Sequence, residues 1–366
     1  MDDIALELLI ETVVTGLMNT KLNQTVRRRM AGLGMLTAAL LFPGALPATT
    51  SSSSNSWVIQ LTPGVTSREV QAALDSLPAT GGEVRLPAGS VEVFAPIVLS
   101  RDNEILRGTG TDTVLHLADR ADCPVLILGQ PVNHPHTTLH GLAVADLTVD
   151  GNRFHQTREL WRLTGEGSEI RNNGIVVQAV TDSRVTDVTT ADCRSGGLVT
   201  TLGVRRLTVR GLNSYGNEFD GLACYETTDS VFSDLNLHDN PGAGISLDLA
   251  FVHNVVSNAV LARNDLGIFM RASRNNQFHN VTISNSHHFG VFMAQANLFT
   301  PAGVRLAPGS ECTWNAFTNL AAMDCGSAAF RVNDSSCTNN TLIMPHFVDD
   351  PRGGLSEVQP DLVSVR

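Results

Sequence analysis

The apolar residues of this chain fall into short runs that recur, not into long stripes. A glycine followed by an aliphatic residue returns at Gly174-Ile175, Gly197-Leu198, Gly221-Leu222, Gly244-Ile245, Gly267-Ile268 and Gly290-Val291, a period of roughly 23 residues. Each interval holds two or three segments of strand length, divided by Asn, Asp, Ser and Gly. One interval is too small to bury its own apolar face, so neighbours have to stack. The period therefore predicts an all-β parallel β-helix, with equivalent residues of successive coils about 4.8 Å apart on one face.

The same pattern sorts residues into columns. The first and third positions after each glycine read Ile175/Val177, Leu198/Thr200, Leu222/Cys224, Ile245/Leu247, Ile268/Met270 and Val291/Met293. They are nearly all apolar and are expected to face inward. Strand alternation then sends the second and fourth positions to solvent. The second-position column is Val176, Val199, Ala223, Ser246, Phe269, Phe292, and the fourth is Gln178, Thr201, Tyr225, Asp248, Arg271, Ala294. At another turn, Asn254, Asn276, Asn315 and Asn340 recur in one register. An asparagine tolerates left-handed backbone and its amide can bond from coil to coil, so these four are expected to form a structural ladder.

Ahead of the repeats, Thr66-Ser67-Arg68-Glu69 reads as a capping box opening a helix through Leu77, a cap for the solenoid end. Gly81-Gly82 turns the chain into Glu83-Val84-Arg85-Leu86-Pro87-Ala88-Gly89, and Ile97-Val98-Leu99 with Ile105-Leu106 complete a first coil. This helix followed by Leu86-Pro87-Ala88-Gly89 resembles the amino-terminal segment of the pectate-lyase-like proteins, the superfamily that includes rhamnogalacturonases and epimerase-like lyases. The resemblance implies a right-handed helix, the hand also expected of parallel crossovers. The coil from Asn217 to Glu226, within a stretch of roughly Asn172 to Gln295, is similar to coils of mannuronan C5-epimerases and related alginate lyases. The Asp-Pro-His-Glu signature of those epimerases is absent, and so is the Asp/Asp-Asp/Gly-His-Gly/Arg-Ile-Lys set of polygalacturonases.

Two stretches interrupt the period. Residues 153–171 carry Trp161 with Arg153, Arg158 and Arg162, and residues 297–310 separate Val291 from the next matching step at Ala329-Phe330. Irregular segments on a rigid scaffold often carry function. These two are expected either to wall a sugar groove, with Trp161 on the substrate, or simply to pack on the solenoid.

The fourth-position column supplies the strongest chemical signal. A phenol, a carboxylate and a guanidinium on three adjacent coils, Tyr225, Asp248 and Arg271, suit removal of the C5 proton from a uronate. In that reading Arg271 pairs with the sugar carboxylate, Tyr225 is acid or base, Asp248 orients Arg271 or holds a cation, and Phe269, Phe292 and Ser246 contact the sugar. The outcome is β-elimination or epimerisation. The same row also fits a plain cross-strand salt bridge beside an aromatic neighbour. Paired carboxylates among Asp220, Glu226 and Asp248 suit a glycoside hydrolase. A non-catalytic polysaccharide-binding or surface-attachment solenoid is the third reading. His288 is the histidine best placed to edge the row as a base. Ca²⁺ is the one cofactor considered, with Asp220 and Asp248 as oxygen ligands.

Composition narrows the partners. The net charge of -11 lacks the basic stripe that nucleic acid requires. Lys21 is the one lysine, so no lysine base is available in the folded body. Basic residues from Lys21 to Arg29, an apolar run from Met30 to Leu46 broken by Gly and Pro, and Ala48 before a Ser/Thr run follow a secretory pattern, with Met18 the more natural start. The expected organisation is a leader over 1–48, a Ser/Thr-rich linker over 49–60 and a single β-helix domain over 61–366. The mature protein is expected to be secreted or periplasmic, monomeric and free of the membrane, with a polysaccharide as its partner. Cys312-Thr-Trp-Asn315 and Cys337-Thr-Asn-Asn340 match in context, which predicts a Cys312–Cys337 disulfide between adjacent coils. Cys224 is expected as a core thiol.

Overall fold

The computed structural model describes residues 49–53, 56–159, 170–295, 309–348, 350–351 and 353–366. The expected leader lies outside the described residues, as do Trp161, Arg162 and most of residues 297–310. No helix of the described chain is long and apolar enough to cross a membrane.

The chain folds as a right-handed parallel β-helix. Its amino-terminal cap is a helix over Ser67–Ser76 that buries Val70, Ala73 and Leu74. The capping box forms as expected. The Glu69 amide donates to Thr66 Oγ1 at 3.3 Å, and the Thr66 amide donates to Glu69 Oε2 at 2.8 Å. The segment expected as a linker is instead a hairpin. Thr49–Ser53 pairs antiparallel with Ser56–Gln60, which itself runs parallel to Gly82–Arg85 and so starts the solenoid wall.

Ten strands stack in one sheet: Ile97–Leu99, Leu126–Leu128, Ile175–Gln178, Leu198–Thr201, Leu222–Tyr225, Ala243–Asp248, Leu266–Met270, Val291–Met293, Phe330–Val332 and Leu355–Glu357. Its register is the one the glycine period predicts: Ile175 pairs with Leu198, then Leu222, Ile245, Ile268, Val291 and Phe330 follow coil by coil. First- and third-position side chains, Cys224 among them, fill a continuous core. A six-stranded sheet and a 17-stranded sheet complete the wall.

The longest strands of the 17-stranded sheet, such as Val231–His238, Val255–Ala262 and Gln277–Ser284, bend at their centres. There Asp234, Asn258 and Asn280 take positive φ and are skipped by the pairing on either side. Asp and Asn tolerate that conformation best among residues with a side chain, which is why the bend column is written in them.

The asparagine ladder is present. Oδ1 of Asn276 accepts from the Asn254 amide at 2.9 Å, and the pattern repeats through Asn315 to Asn340. One part of the expectation is corrected: the left-handed residues are those just before the ladder, His253, Asn275, Trp314 and Asn339. The ladder asparagines are needed for their amides, since buried backbone N–H groups at the corner have no strand partner. A second buried ladder, Asn217–Asn240–Asn264, runs along the corner that leads into the ten-stranded sheet.

All six cysteines are free thiols, so the expected Cys312–Cys337 bridge is not formed. The two residues do meet on adjacent coils, where the Cys312 amide donates to Cys337 Sγ at 3.5 Å. The two thiols lie against each other without the bond of about 2 Å that a disulfide makes between its sulfurs.

Candidate functional site

The row expected on the outer face of the ten-stranded sheet is assembled. Tyr225 pairs in register with Asp248, and on the next coil the Arg271 amide donates to the Leu247 carbonyl at 2.8 Å. The Arg271 guanidinium donates through Nη2 to Asp248 Oδ2, and the Leu249 amide occupies Asp248 Oδ1 at 2.7 Å. Arg271 also lies over the Phe269 ring, 5.1 Å from its centroid.

The row is nevertheless not a solvated surface. Asp248 is 1% and Arg271 3% exposed, Phe269 8% and Phe292 2%, and Ser246 is buried with them. The two phenylalanines expected to stack on sugar rings stack on each other, 5.9 Å apart, and join Phe289, Leu266, Ala294 and Ala328 in a second apolar cluster outside the main core. Parallel sheets are commonly covered on both faces, so alternation marks an outer face without making it wet. Tyr225 is half-buried and is the member of the row that retains solvent contact.

Within this setting Arg271 carries an imbalance. Nη2 is paired, but Nε and Nη1 are buried with no hydrogen-bond partner among the described residues. Leaving a buried donor unsatisfied costs about 1–3 kcal/mol, more when the group is charged.

The corner entering the sheet adds three titratable groups. Asp220 is half-buried and accepts from the Ala243 amide at 2.7 Å. Burial is the main cause that pushes its carboxyl up to about 6, and Asp265 adds to the rise. His288 Nδ1 meets Asp265 Oδ1 at 2.7 Å, a contact that raises the imidazole above its usual range. Burial likewise pushes the Tyr225 phenol well up; the Asp220 and Asp248 carboxylates raise it further, while Arg171 and Arg271 oppose them. Asp220, Tyr225, Asp248 and Arg271 thus form one electrostatic group that Asp265 extends to His288.

Glu226 does not join it. It sits at the corner after the strand with φ +49° and is exposed. Asp265 and Arg171 are the members that sequence reasoning passed over, because both lie at corners and not in the strand columns. An open depression of about 640 Å³ lies over the first coils, lined by Val98, Ile127, Pro131 and Val132 among others.

Comparison with known proteins places the chain. The periplasmic copper-binding protein (NosD) family matches residues 101–302, more than half of its length. The chain belongs to the NosD family. No curated protein matches it. Among solved structures, this NosD family member is similar to an alginate lyase of Paenibacillus sp. str. FPU-7, with TM-score 0.60 and 12% identity over 84% of this chain and 99% of that one. It is also similar to an endo-xylogalacturonan hydrolase of Aspergillus tubingensis, with TM-score 0.54 and 12% identity over 84% and 93%. The A-module of a mannuronan C-5 epimerase of Azotobacter vinelandii follows, with TM-score 0.50 and 16% identity over 82% and 95%. At these identities the likeness establishes a shared solenoid, one that carbohydrate-active enzymes use.

Proposed function

We propose that this protein acts on an acidic polysaccharide by abstracting the C5 proton of a uronate, as a lyase or an epimerase. The observation that carries the reading is Arg271, whose buried Nε and Nη1 have no hydrogen-bond partner among the described residues and sit one coil from Asp248 and two from Tyr225. A sugar carboxylate that reaches either nitrogen gains a charge-assisted hydrogen bond and is neutralised by the guanidinium, which eases loss of the neighbouring proton. Asp248, bonded to Arg271 through Oδ2 and to the Leu249 amide through Oδ1, holds Arg271 in place.

The titrating groups suggest the remaining roles. Asp220, at about 6, is a carboxylate at neutral pH yet more basic than an ordinary one, which suits a general base. Tyr225 keeps its proton through the neutral range and suits the acid that protonates the leaving O4 or the opposite face of the ring. Substrate approaches from the Tyr225 side, where the row has its solvent contact. A glycoside hydrolase is the second reading, favoured by one fact: Asp265 helps to raise Asp220, as neighbouring carboxyls with divided acid and base roles do.

The family description names copper. All six cysteines and eleven histidines of the chain lie among the described residues, and among these no three His, Cys, Asp or Glu side chains converge on a point that could hold an ion. The donor set does not fit copper, and no step here runs through it.

The test is the absorbance of the unsaturated uronate product during incubation with pectic, alginate and glucuronan polymers. The expected signal disappears in Tyr225→Phe and Arg271→Lys. Release of reducing ends with no unsaturated product sends the reading to the hydrolase.

A further inference from the structure

Away from the row, the corner that follows the six-stranded sheet is written almost entirely in residues that suit left-handed backbone or remain solvated. Asp182, Arg206, Asp229, His253, Asn275 and Asn339 each hold a positive φ there. Trp314 is the exception. It has φ +60° and is 62% exposed, so a bulky aromatic occupies a conformation that disfavours it and keeps most of its ring in water. Its backbone is not loose: the Thr313 amide donates to the Ser273 carbonyl at 3.2 Å, and the Thr313 carbonyl accepts from the Asn275 amide at 3.1 Å. The neighbouring coils place Asn275 and Asn339 at the equivalent corner position on either side, in the register fixed by the buried Asn276–Asn315–Asn340 ladder.

Neither packing nor backbone preference accounts for a tryptophan here, since Asn fits the same position on both adjacent coils. We propose that Trp314 is a surface stacking platform for a pyranose ring of a polysaccharide, with Asn275 and Asn339 presenting amides to the ring hydroxyls. An exposed indole offers a flat apolar face at small conformational cost, and a carboxamide both donates and accepts. The chemistry is common to uronate and neutral sugars. The site is separate from the Arg271 row and does not rest on the reading given to it.

The experiment is calorimetric titration of the whole protein with a soluble polyuronate and, in parallel, a soluble neutral glucan, on the natural protein, Trp314→Asn and Arg271→Lys. Because Asn suits a left-handed corner, Trp314→Asn is expected to melt no lower than the natural protein while its affinity falls by roughly tenfold or more. With Arg271→Lys as the background, where the row's share of binding and product formation are lost, the fall caused by Trp314→Asn is expected to persist, which separates failure of this site from failure of the row. The polymer that binds identifies the sugar class. Binding of neither polymer overturns the proposal, as does unchanged affinity in Trp314→Asn. A fall in both affinity and melting temperature assigns Trp314 a structural role and overturns it as well.

Discussion

Two Arg–Asp pairs lie on adjacent coils of one solenoid and have opposite characters. Arg263 grips Asp239 through Nε and Nη2, both at 2.7 Å, with each side chain about half exposed. Arg271 meets Asp248 in the dry outer cluster and leaves two nitrogens without a partner among the described residues. The exposed pair has the better hydrogen bonding and the smaller energetic consequence, because solvent screens it and would hydrate either partner alone. The buried pair is incompletely satisfied and held where charge is costly. An arrangement that stability alone would not favour is what a binding site for a carboxylate requires.

Substitutions can break or sharpen this contrast. The largest effect is expected for Arg271→Ala, which strands Asp248: a loss of about 3–5 kcal/mol in chemical denaturation, together with loss of uronate product. Next is Asn276→Ala in the buried ladder. It removes the acceptor of the Asn254 amide and is expected to cost about 1–3 kcal/mol; an effect near that of Arg271→Ala would mean that burial, not charge, dominates the contrast.

Asp220→Asn carries the opposite sign. A folded-state carboxyl raised from 3.8 to about 6 contributes stability that is complete below pH 4 and lost as pH rises through about 6. The amide removes that loss, so the variant is expected to be about 1–2 kcal/mol more stable than the natural protein at pH 7.5 and indistinguishable from it near pH 4. Its activity should vanish, and the activity of the natural protein should climb as pH passes through about 6. Smallest of all, Arg263→Ala should change stability by less than about 1 kcal/mol, and less still in high salt.

The sequence made the columns legible because a solenoid converts a period into spatial neighbours. The register from Ile175 to Phe330 and the meeting of Tyr225, Asp248 and Arg271 needed nothing more. What stayed hidden was the environment of the outer face. Alternation assumes that one face of a strand is wet, yet Gly267-Ile268-Phe269-Met270 and Gly290-Val291-Phe292-Met293 are apolar on both faces, the signature of a strand covered twice. Read that way, those runs would have announced the cluster around Phe292. The second ladder was obscured by spacing: Asn217 and Asn240 stand four residues before their glycines, whereas Asn264 stands three before Gly267. Asp265 belongs to that same shortened corner, and a strand-column search passes over it.

The skipped residues at the strand bends have a mechanical consequence. At Asp234, Asn258 and Asn280 the main chain leaves the pairing, but Asn280 Nδ2 donates to Asn258 Oδ1 at 3.3 Å and Asn258 Nδ2 to Asp234 Oδ1 at 3.2 Å. The crease is therefore laced by exposed side chains where the backbone supplies no rung. Water competes freely for such bonds, so this line is the natural seam along which the wall can flex, and amide exchange with deuterium should be fastest there while the strands on either side stay protected.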